Sequence, residues 1–216
     1  MNKSKSVFLQ PMGDLFLFIS GIMIFTYFAQ QKGLIFLLSF PGLILSAVIV
    51  VLRANNWRDI QEVFGLRRIR NENSYFIPVS ILLAVFFSIL YRNSLKLDLI
   101  PNHFTAFVIL AAMIGATEEL IFRGYIQLRS REFGVILAVL LAALTHTAYK
   151  YVLFSSLSDI EPINMAMLVF WTMVVGLVLG IMKEISGSCY VPILFHVTFD
   201  ILVYGDGAIE TWWVFA

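Results

Sequence analysis

Ionisable side chains interrupt several segments of this chain that are otherwise apolar enough to cross a membrane. They fall into three clusters, which are Glu118, Glu119 and Arg123, then His146, then His196 and Asp200. A charged side chain near the centre of a bilayer costs about 2.5–3.5 kcal/mol on insertion scales, so such residues normally face a bundle interior or a water-filled cavity. Carboxylates and histidines at this depth are the components of a site that moves protons.

Helical geometry separates the two carboxylates of the first cluster. Glu119 and Arg123 are four residues apart, which places them on one face of a helix and favours an ion pair. Glu118 points about 100° away and has no partner within the helix. The paired carboxylate is suited to support a site, whereas the unpaired one is available as a general base. The alternative is that all three residues form a structural salt-bridge cluster at a helix end.

The histidines lie on two other predicted helices. His196 and Asp200 are four residues apart, so the aspartate can orient the ring or, when protonated, donate a proton. His146 follows a run of small residues that permits close helix packing. Either histidine alone is also compatible with a hydrogen-bonded packing role. Because three polar clusters on three spans can supply one another with partners, the sequence predicts that they meet.

Composition identifies an integral membrane protein. The 216 residues are 60% hydrophobic and only 13% charged, whereas a soluble domain has about 25% charged residues. The formal net charge of +1 lacks the basic excess that a nucleic-acid partner requires. The single cysteine, Cys189, excludes an internal disulfide and a cysteine-rich metal site.

The hydropathy pattern predicts an all-α, polytopic bundle of about seven transmembrane helices around a central polar cavity. The predicted spans cover approximately 14–31, 33–52, 75–92, 104–124, 133–153, 165–183 and 190–204. Bulky residues continue to the end of the first span, so it is expected to be retained rather than cleaved as a signal peptide. The predicted organisation is two N-terminal helices and a basic loop in 1–74, a catalytic bundle in 75–204 and a tail in 205–216.

Basic residues predict the orientation in the plasma membrane. Lysine and arginine are concentrated in alternate connections, which favours a cytoplasmic N-terminus and an external C-terminus. The most basic connection, 53–74, contains a stretch starting at Trp57 with helical alternation of apolar and polar residues. It is interpreted either as an amphipathic helix on the membrane surface or as an ordinary basic loop.

The three clusters resemble the motifs of a known family. Glu118, Glu119, Arg123 and Gly124 stand at the spacing of its Glu-Glu-x-x-x-Arg motif with the common Phe-Arg-Gly ending, and the last cluster stands at that of its His-x-x-x-Asp/Asn motif. The family is the CPBP (Abi) intramembrane proteases, which includes type II CAAX prenyl endopeptidases and bacteriocin-processing or immunity proteins. Its middle motif is usually Phe/Tyr-x-x-x-His, and here Ala142 occupies the aromatic position. The resemblance covers about residues 75–204.

The resemblance implies a catalytic role for each cluster. Glu118 and His146 would activate a water for attack on a peptide carbonyl, while His196 and Asp200 would stabilise the oxyanion. Glu119 and Arg123 would support the site. The implied activity is that of an intramembrane endopeptidase acting on a membrane-associated or hydrophobic peptide, in CAAX-type processing, peptide maturation or bacteriocin immunity. Its expected partners are a peptide or membrane-protein substrate and the lipid bilayer, with no cofactor.

Two other interpretations remain open from the sequence. Glu118, His146 and His196 have the ligand types of a catalytic zinc site with a water in the fourth position. A non-catalytic immunity or scaffold protein would bind a peptide partner through the same cavity. A proton-relaying transporter would use similar residues, but inverted repeats and broken helices are not evident in the sequence.

Overall fold

All regular structure in the described part of the chain is helical. The computed structural model describes residues 3–29, 31, 33–54, 56–155 and 164–207. The α-helices there are α1 (Lys3–Ala29), α2 (Ser39–Val51), α3 (Trp57–Val63), α4 (Phe76–Ser94), α5 (Phe107–Glu119), α6 (Leu128–Ser130), α7 (Val135–Ser155), α8 (Met165–Ser186) and α9 (Tyr190–Tyr204). A 3₁₀ segment, Gly33–Leu38, leads into α2, and a π-helical segment, Leu120–Gln127, joins α5 to α6. The predicted all-α bundle is confirmed.

Each predicted span coincides with a helix, but not every helix is long enough to count as a crossing by itself. Five described helical stretches meet both the length and the hydropathy of a membrane span: Met12–Ala29, Gly33–Val51, Asn71–Ser94, Val135–Ser155 and Met165–Ser186. The fourth predicted span falls short because α5 ends after 13 residues and continues as the π-helical segment. The seventh, α9, has only 15 residues. Residues 208–216 of the predicted tail lie outside the described residues.

Glycines allow α1 and α2 to pack in close contact. A Cβ added at Gly21 would lie 2.7 Å from the Gly42 oxygen, so no larger residue fits between these backbones. The Ser46 hydroxyl, on α2, donates to the Phe18 oxygen at 3.3 Å. Such small-residue contacts drive helix association where the lipid is as apolar as the side chains. This N-terminal pair packs onto the rest of the bundle through Phe18, whose ring stacks on Tyr125 at 4.1 Å.

Small residues also bring α7 and α8 together. Ala142 and Ala143 on α7 are fully buried, and a Cβ added at Gly176 of α8 would lie 3.1 Å from the Ala143 Cβ. The predicted small-residue face before His146 therefore does form a close helix contact. It fixes the depth and rotation of the helix that carries this histidine.

The π-helical segment follows directly after the two glutamates. Its residues Phe122–Gln127 are all buried, and π-turns of this kind occur frequently at functional sites. Gly124 lies at its centre, where a Cβ would be 2.7 Å from the Phe64 oxygen. The segment is thus wedged between the bundle and the basic connection.

The basic connection 53–74 contains a short helix and is anchored to the bundle. Asn56 caps α3 by accepting a hydrogen bond from the Asp59 amide at 3.0 Å. After α3 the chain turns at Gly65, whose φ of 63° favours glycine. The Gly65 oxygen accepts from the Cys189 amide at 3.0 Å. The helical interpretation of this stretch is confirmed, and its location on the membrane surface stays a prediction.

Candidate active site

Glu118 and Glu119 are the last two residues of α5, and both are buried. Their exposed fractions are 3% and 0%, so each carboxylate must be compensated by protein groups rather than by water. Consecutive residues on a helix point about 100° apart, so the two carboxylates take different partners. The side chains around them form a closely packed polar cluster, at the place where the sequence predicts a central polar cavity.

Arg123 supports Glu119 and also contacts His146. Its Nη1 lies 3.0 Å from Glu119 Oε1 and 3.0 Å from His146 Nδ1, and the guanidinium is fully buried. A guanidinium can only donate, so Nδ1 of His146 accepts and the ring proton resides on Nε2. The ion pair that the spacing predicts is present, and it also sets the tautomer of a histidine from another helix.

His146 faces Glu118 with the nitrogen that carries this proton. Its Nε2 lies 3.2 Å from Glu118 Oε2, which makes the histidine a donor to the carboxylate. The ring stacks on Phe122 with centroids 4.5 Å apart. The aromatic neighbour of His146 is therefore supplied by the π-helical segment, while Ala142 is buried against the apolar core.

His196 bridges the two glutamates. Its Nδ1 lies 2.8 Å from Glu119 Oε1, and its Nε2 lies 3.6 Å from Glu118 Oε2 and 3.7 Å from Asp200 Oδ2. The first distance is a hydrogen bond, whereas the other two exceed hydrogen-bond length. Glu119 thus orients the ring, a role that the helical spacing predicts for Asp200 as one alternative. Asp200 instead lies beside the Nε2 edge.

Gly115 makes this approach of α9 to α5 possible. A Cβ added there would lie 2.5 Å from Asp200 Oδ2 and 3.2 Å from the His196 ring. The motif spacing in the sequence does not single out this glycine. It lies one turn before Glu119, and a small residue so close to ionisable residues was the signal in the sequence for a close helix contact at the site.

Residues 100–202 match the family model described as type II CAAX prenyl endopeptidase Rce1-like. This part of the chain belongs to the CAAX endopeptidase family. The matched region contains every predicted catalytic residue, and the family consists of membrane proteases. No curated protein and no solved structure matches the chain. The matched region is therefore related to membrane proteases of the CAAX type, and the apolar helices of membrane length support a multi-pass membrane protein.

In this Rce1-like region, a residue outside the motifs forms an ion pair with Glu118. The Lys150 Nζ lies 2.5 Å from Glu118 Oε1. Lys150 lies near the end of its predicted span, where a lysine ordinarily extends its ammonium toward water. The structure turns the ammonium inward instead, because the buried carboxylate is the stronger partner.

A second buried ion pair joins α4 to the turn after α9, the helix of the Rce1-like site that carries His196 and Asp200. Arg92 at the end of α4 pairs with Asp206, with 2.6 Å between Nη2 and Oδ2 and side-chain exposures of 1% and 6%. Its Nη1 also donates to the oxygens of Leu202 and Val203 at the end of α9. Arg92 thereby caps the helix that carries His196.

Whether Glu118, His146 and His196 can bind zinc in the Rce1-like site depends on their geometry and on the free lone pairs of the histidines. Among the residues that the structure describes, no three His, Cys, Asp or Glu side chains are arranged to hold a metal ion. In addition, the Nε2 of His146 faces Glu118 and carries the proton when Nδ1 accepts from Arg123. A protonated ring nitrogen has no lone pair for a metal.

Proposed function

We propose that the protein is an intramembrane endopeptidase in which Glu118 activates the water that attacks a peptide carbonyl. The observation that supports this most is the convergence on one carboxylate oxygen. Glu118 Oε2 faces His146 Nε2 at 3.2 Å and His196 Nε2 at 3.6 Å, inside a cluster withdrawn from bulk solvent. A positioned carboxylate base contributes about 10²–10⁴-fold to such a reaction.

The proposed reaction proceeds in two steps. Glu118 Oε2 takes a proton from water while the water oxygen bonds to the carbonyl carbon, and the carbonyl electrons move onto its oxygen. The resulting tetrahedral intermediate then collapses. The C–N bond breaks, and the proton held by Glu118 passes to the leaving amine. His146 assists by donating a hydrogen bond from its Nε2–H to the carboxylate, which holds Oε2 in place while the proton stays on the ring.

The proposed oxyanion side is the Nε2 edge of His196. Glu119 fixes this ring through Nδ1 at 2.8 Å, so the opposite edge is held toward Glu118 and Asp200. When His196 is protonated, its Nε2–H is a pre-oriented donor for the developing negative charge. One such donor is worth about 10²–10³-fold in the clearest cases. Asp200 in its protonated form would be a second donor.

The proposed substrate is a hydrophobic or lipid-modified peptide that enters from the bilayer. The family description suggests a prenylated CAAX sequence, while peptide maturation and bacteriocin immunity remain alternative uses of the same chemistry. We assign the catalytic bundle to residues 75–204, within which the family match falls, and propose a cytoplasmic N-terminus.

The test is cleavage of a farnesylated, fluorescence-quenched CAAX peptide by the purified protein in liposomes. The substitutions E118Q and H146A are each expected to lower kcat/KM by at least about 10²-fold while the protein remains folded. E72Q serves as the matched control, since Glu72 is exposed and pairs only weakly with Arg70 at 3.5 Å. Activity is expected to survive exhaustive treatment with 1,10-phenanthroline.

Three results would overturn parts of this proposal. Wild-type activity in E118Q would refute the assignment of the base. Loss of activity on chelation, restored by zinc, would return the metal interpretation. If the host cell is protected from a peptide toxin equally well by the wild type and by E118Q, the non-catalytic binding function would replace the protease.

A further inference from the structure

Two side chains of one helix hold the two oxygens of Glu118 separately. His146 and Lys150 are one turn apart on α7, and they reach Oε2 at 3.2 Å and Oε1 at 2.5 Å respectively. We propose that Lys150 is a positioning residue of the catalytic carboxylate, one that keeps Glu118 ionised and directs Oε2 to the histidines. This inference rests on the proposed function of Glu118 as the base.

The buried cluster places a cation beside each glutamate. Glu119 has its own partner in Arg123, at 3.0 Å and with both side chains fully buried. Arg123 Nη1 contacts Glu119 and His146, and the Lys150 ammonium is the cationic group that lies at hydrogen-bond distance from Glu118. A buried carboxylate without a partner is strongly destabilising. Lys150 supplies the balancing charge from the next helix.

The groups around Glu118 show why the ammonium, and not a histidine, holds Oε1. The titratable residues that face the carboxylate are His146, Tyr149 and Lys150 from α7, and His196 and Asp200 from α9. Both histidines approach Oε2 and leave Oε1 to the lysine. With Oε1 bound to a cation, the oxygen available to a water is Oε2, which lies next to the oxyanion side.

Lys150 also lies on the more accessible side of the cluster. Its side chain is 19% exposed, whereas that of Glu118 is 4% exposed. The long apolar stem runs along the helix while the ammonium turns inward, 5.5 Å from the centre of the Tyr149 ring. This accessibility makes the residue open to chemical modification in the folded protein.

A merely structural salt bridge and a positioning residue predict different kinetics. K150M keeps the length of the stem and removes the charge. We expect it to lower kcat for the farnesylated CAAX peptide by about tenfold to a hundredfold, the effect of losing one hydrogen bond to a charged group, with KM nearly unchanged. K150R retains the cation and should stay within about fivefold of the wild type. K96M is the matched control, since Lys96 is exposed on a connection outside the site.

Chemical rescue distinguishes activity that is lost with the positive charge from activity that is lost through misfolding. The K150C variant is treated with 2-bromoethylamine, which converts the thiol into a thioether analogue of lysine. The native cysteine, Cys189, is the single one in the chain and is fully buried, so the treated wild type controls for other labelling. Activity is expected to be low before treatment and to return afterwards. Full activity of K150M, or no rescue in a folded K150C protein, would overturn the proposal.

A spectroscopic measurement decides the same point without a substrate. The infrared spectrum of the wild type minus that of E118Q isolates the band of Glu118. At neutral pH this band should be that of an ionised carboxylate, and the same subtraction in the K150M background should give a protonated carboxyl. An ionised band in both backgrounds would refute the role of Lys150 even if E118Q abolishes activity. If E118Q instead retains activity while the bands behave as expected, the proposed function fails and the ion pair stands.

Discussion

The close approach of α5 and α9 at Gly115 predicts that a single added methyl group disables the site. In G115A the new Cβ would lie 2.5 Å from Asp200 Oδ2, about 0.9 Å closer than the 3.4 Å at which ordinary contact begins. Asp200 must therefore swing away. The His196 ring, at 3.2 Å from the Cβ, must shift by a few tenths of an ångström.

The expected loss of activity exceeds the expected loss of stability. Overpacking lowers the free energy of unfolding by about 1–3 kcal/mol, and the better helix propensity of alanine offsets about 1 kcal/mol of this loss. The net change in the free energy of unfolding is therefore about 0–2 kcal/mol. Misplacement of a catalytic group by about 1 Å can cost 10²-fold in rate. Because His196 is held at 2.8 Å by Glu119, we expect kcat/KM to fall about tenfold to a hundredfold.

The assay is hydrolysis of the farnesylated CAAX peptide in liposomes, with unfolding followed in parallel by denaturation in mixed micelles. G13A is the matched control, because it makes the same change in α1 at a position with no heavy atom within 4 Å of the new Cβ. It should leave activity unchanged and stability equal or slightly higher. Wild-type kcat/KM in G115A would refute the conclusion that this contact positions His196 and Asp200.

Two further substitutions test the packing around the site. R92M removes one partner of a buried ion pair and should destabilise the protein by about 3–5 kcal/mol in denaturation experiments, whereas R58M, which affects an exposed pair, should change stability by less than about 0.5 kcal/mol. Equal unfolding midpoints for the two variants would contradict a stabilising role of the buried Arg92–Asp206 ion pair. G124A places a Cβ 2.7 Å from the Phe64 oxygen, so the 53–74 segment should detach and be cut faster by trypsin at its exposed arginines. An unchanged cleavage rate would show that this contact does not anchor the segment.

Local rules predict most of the helices and one ion pair of the site. Apolar runs of membrane length located the segments that became helices, since a chain in lipid must satisfy its backbone hydrogen bonds internally. The Glu119–Arg123 pair followed from helical spacing and is present at 3.0 Å. The same spacing did not reveal the π-helical segment after Glu119, because an i→i+5 turn has no sequence signature as regular as an apolar period.

Partnerships between helices are what the sequence left undetermined. Spacing paired His196 with Asp200, yet the ring's hydrogen bond goes to Glu119 on α5. Spacing likewise left Glu118 without a partner, and α7 supplies both His146 and Lys150. A helical period gives the face on which a residue lies but not the helix that packs against it.

The sequence alone therefore determined the class of the protein, its helical segments and the residues able to do chemistry. Those properties depend on hydropathy, on residue type and on contacts one turn apart. The tertiary structure decided the role of each charge, because buried carboxylates pair with whichever cation the packed helices bring near. Gly115 illustrates the difference. Its lack of a side chain has no consequence until α9 lies against it, and only then does it determine where Asp200 and His196 sit relative to the glutamates.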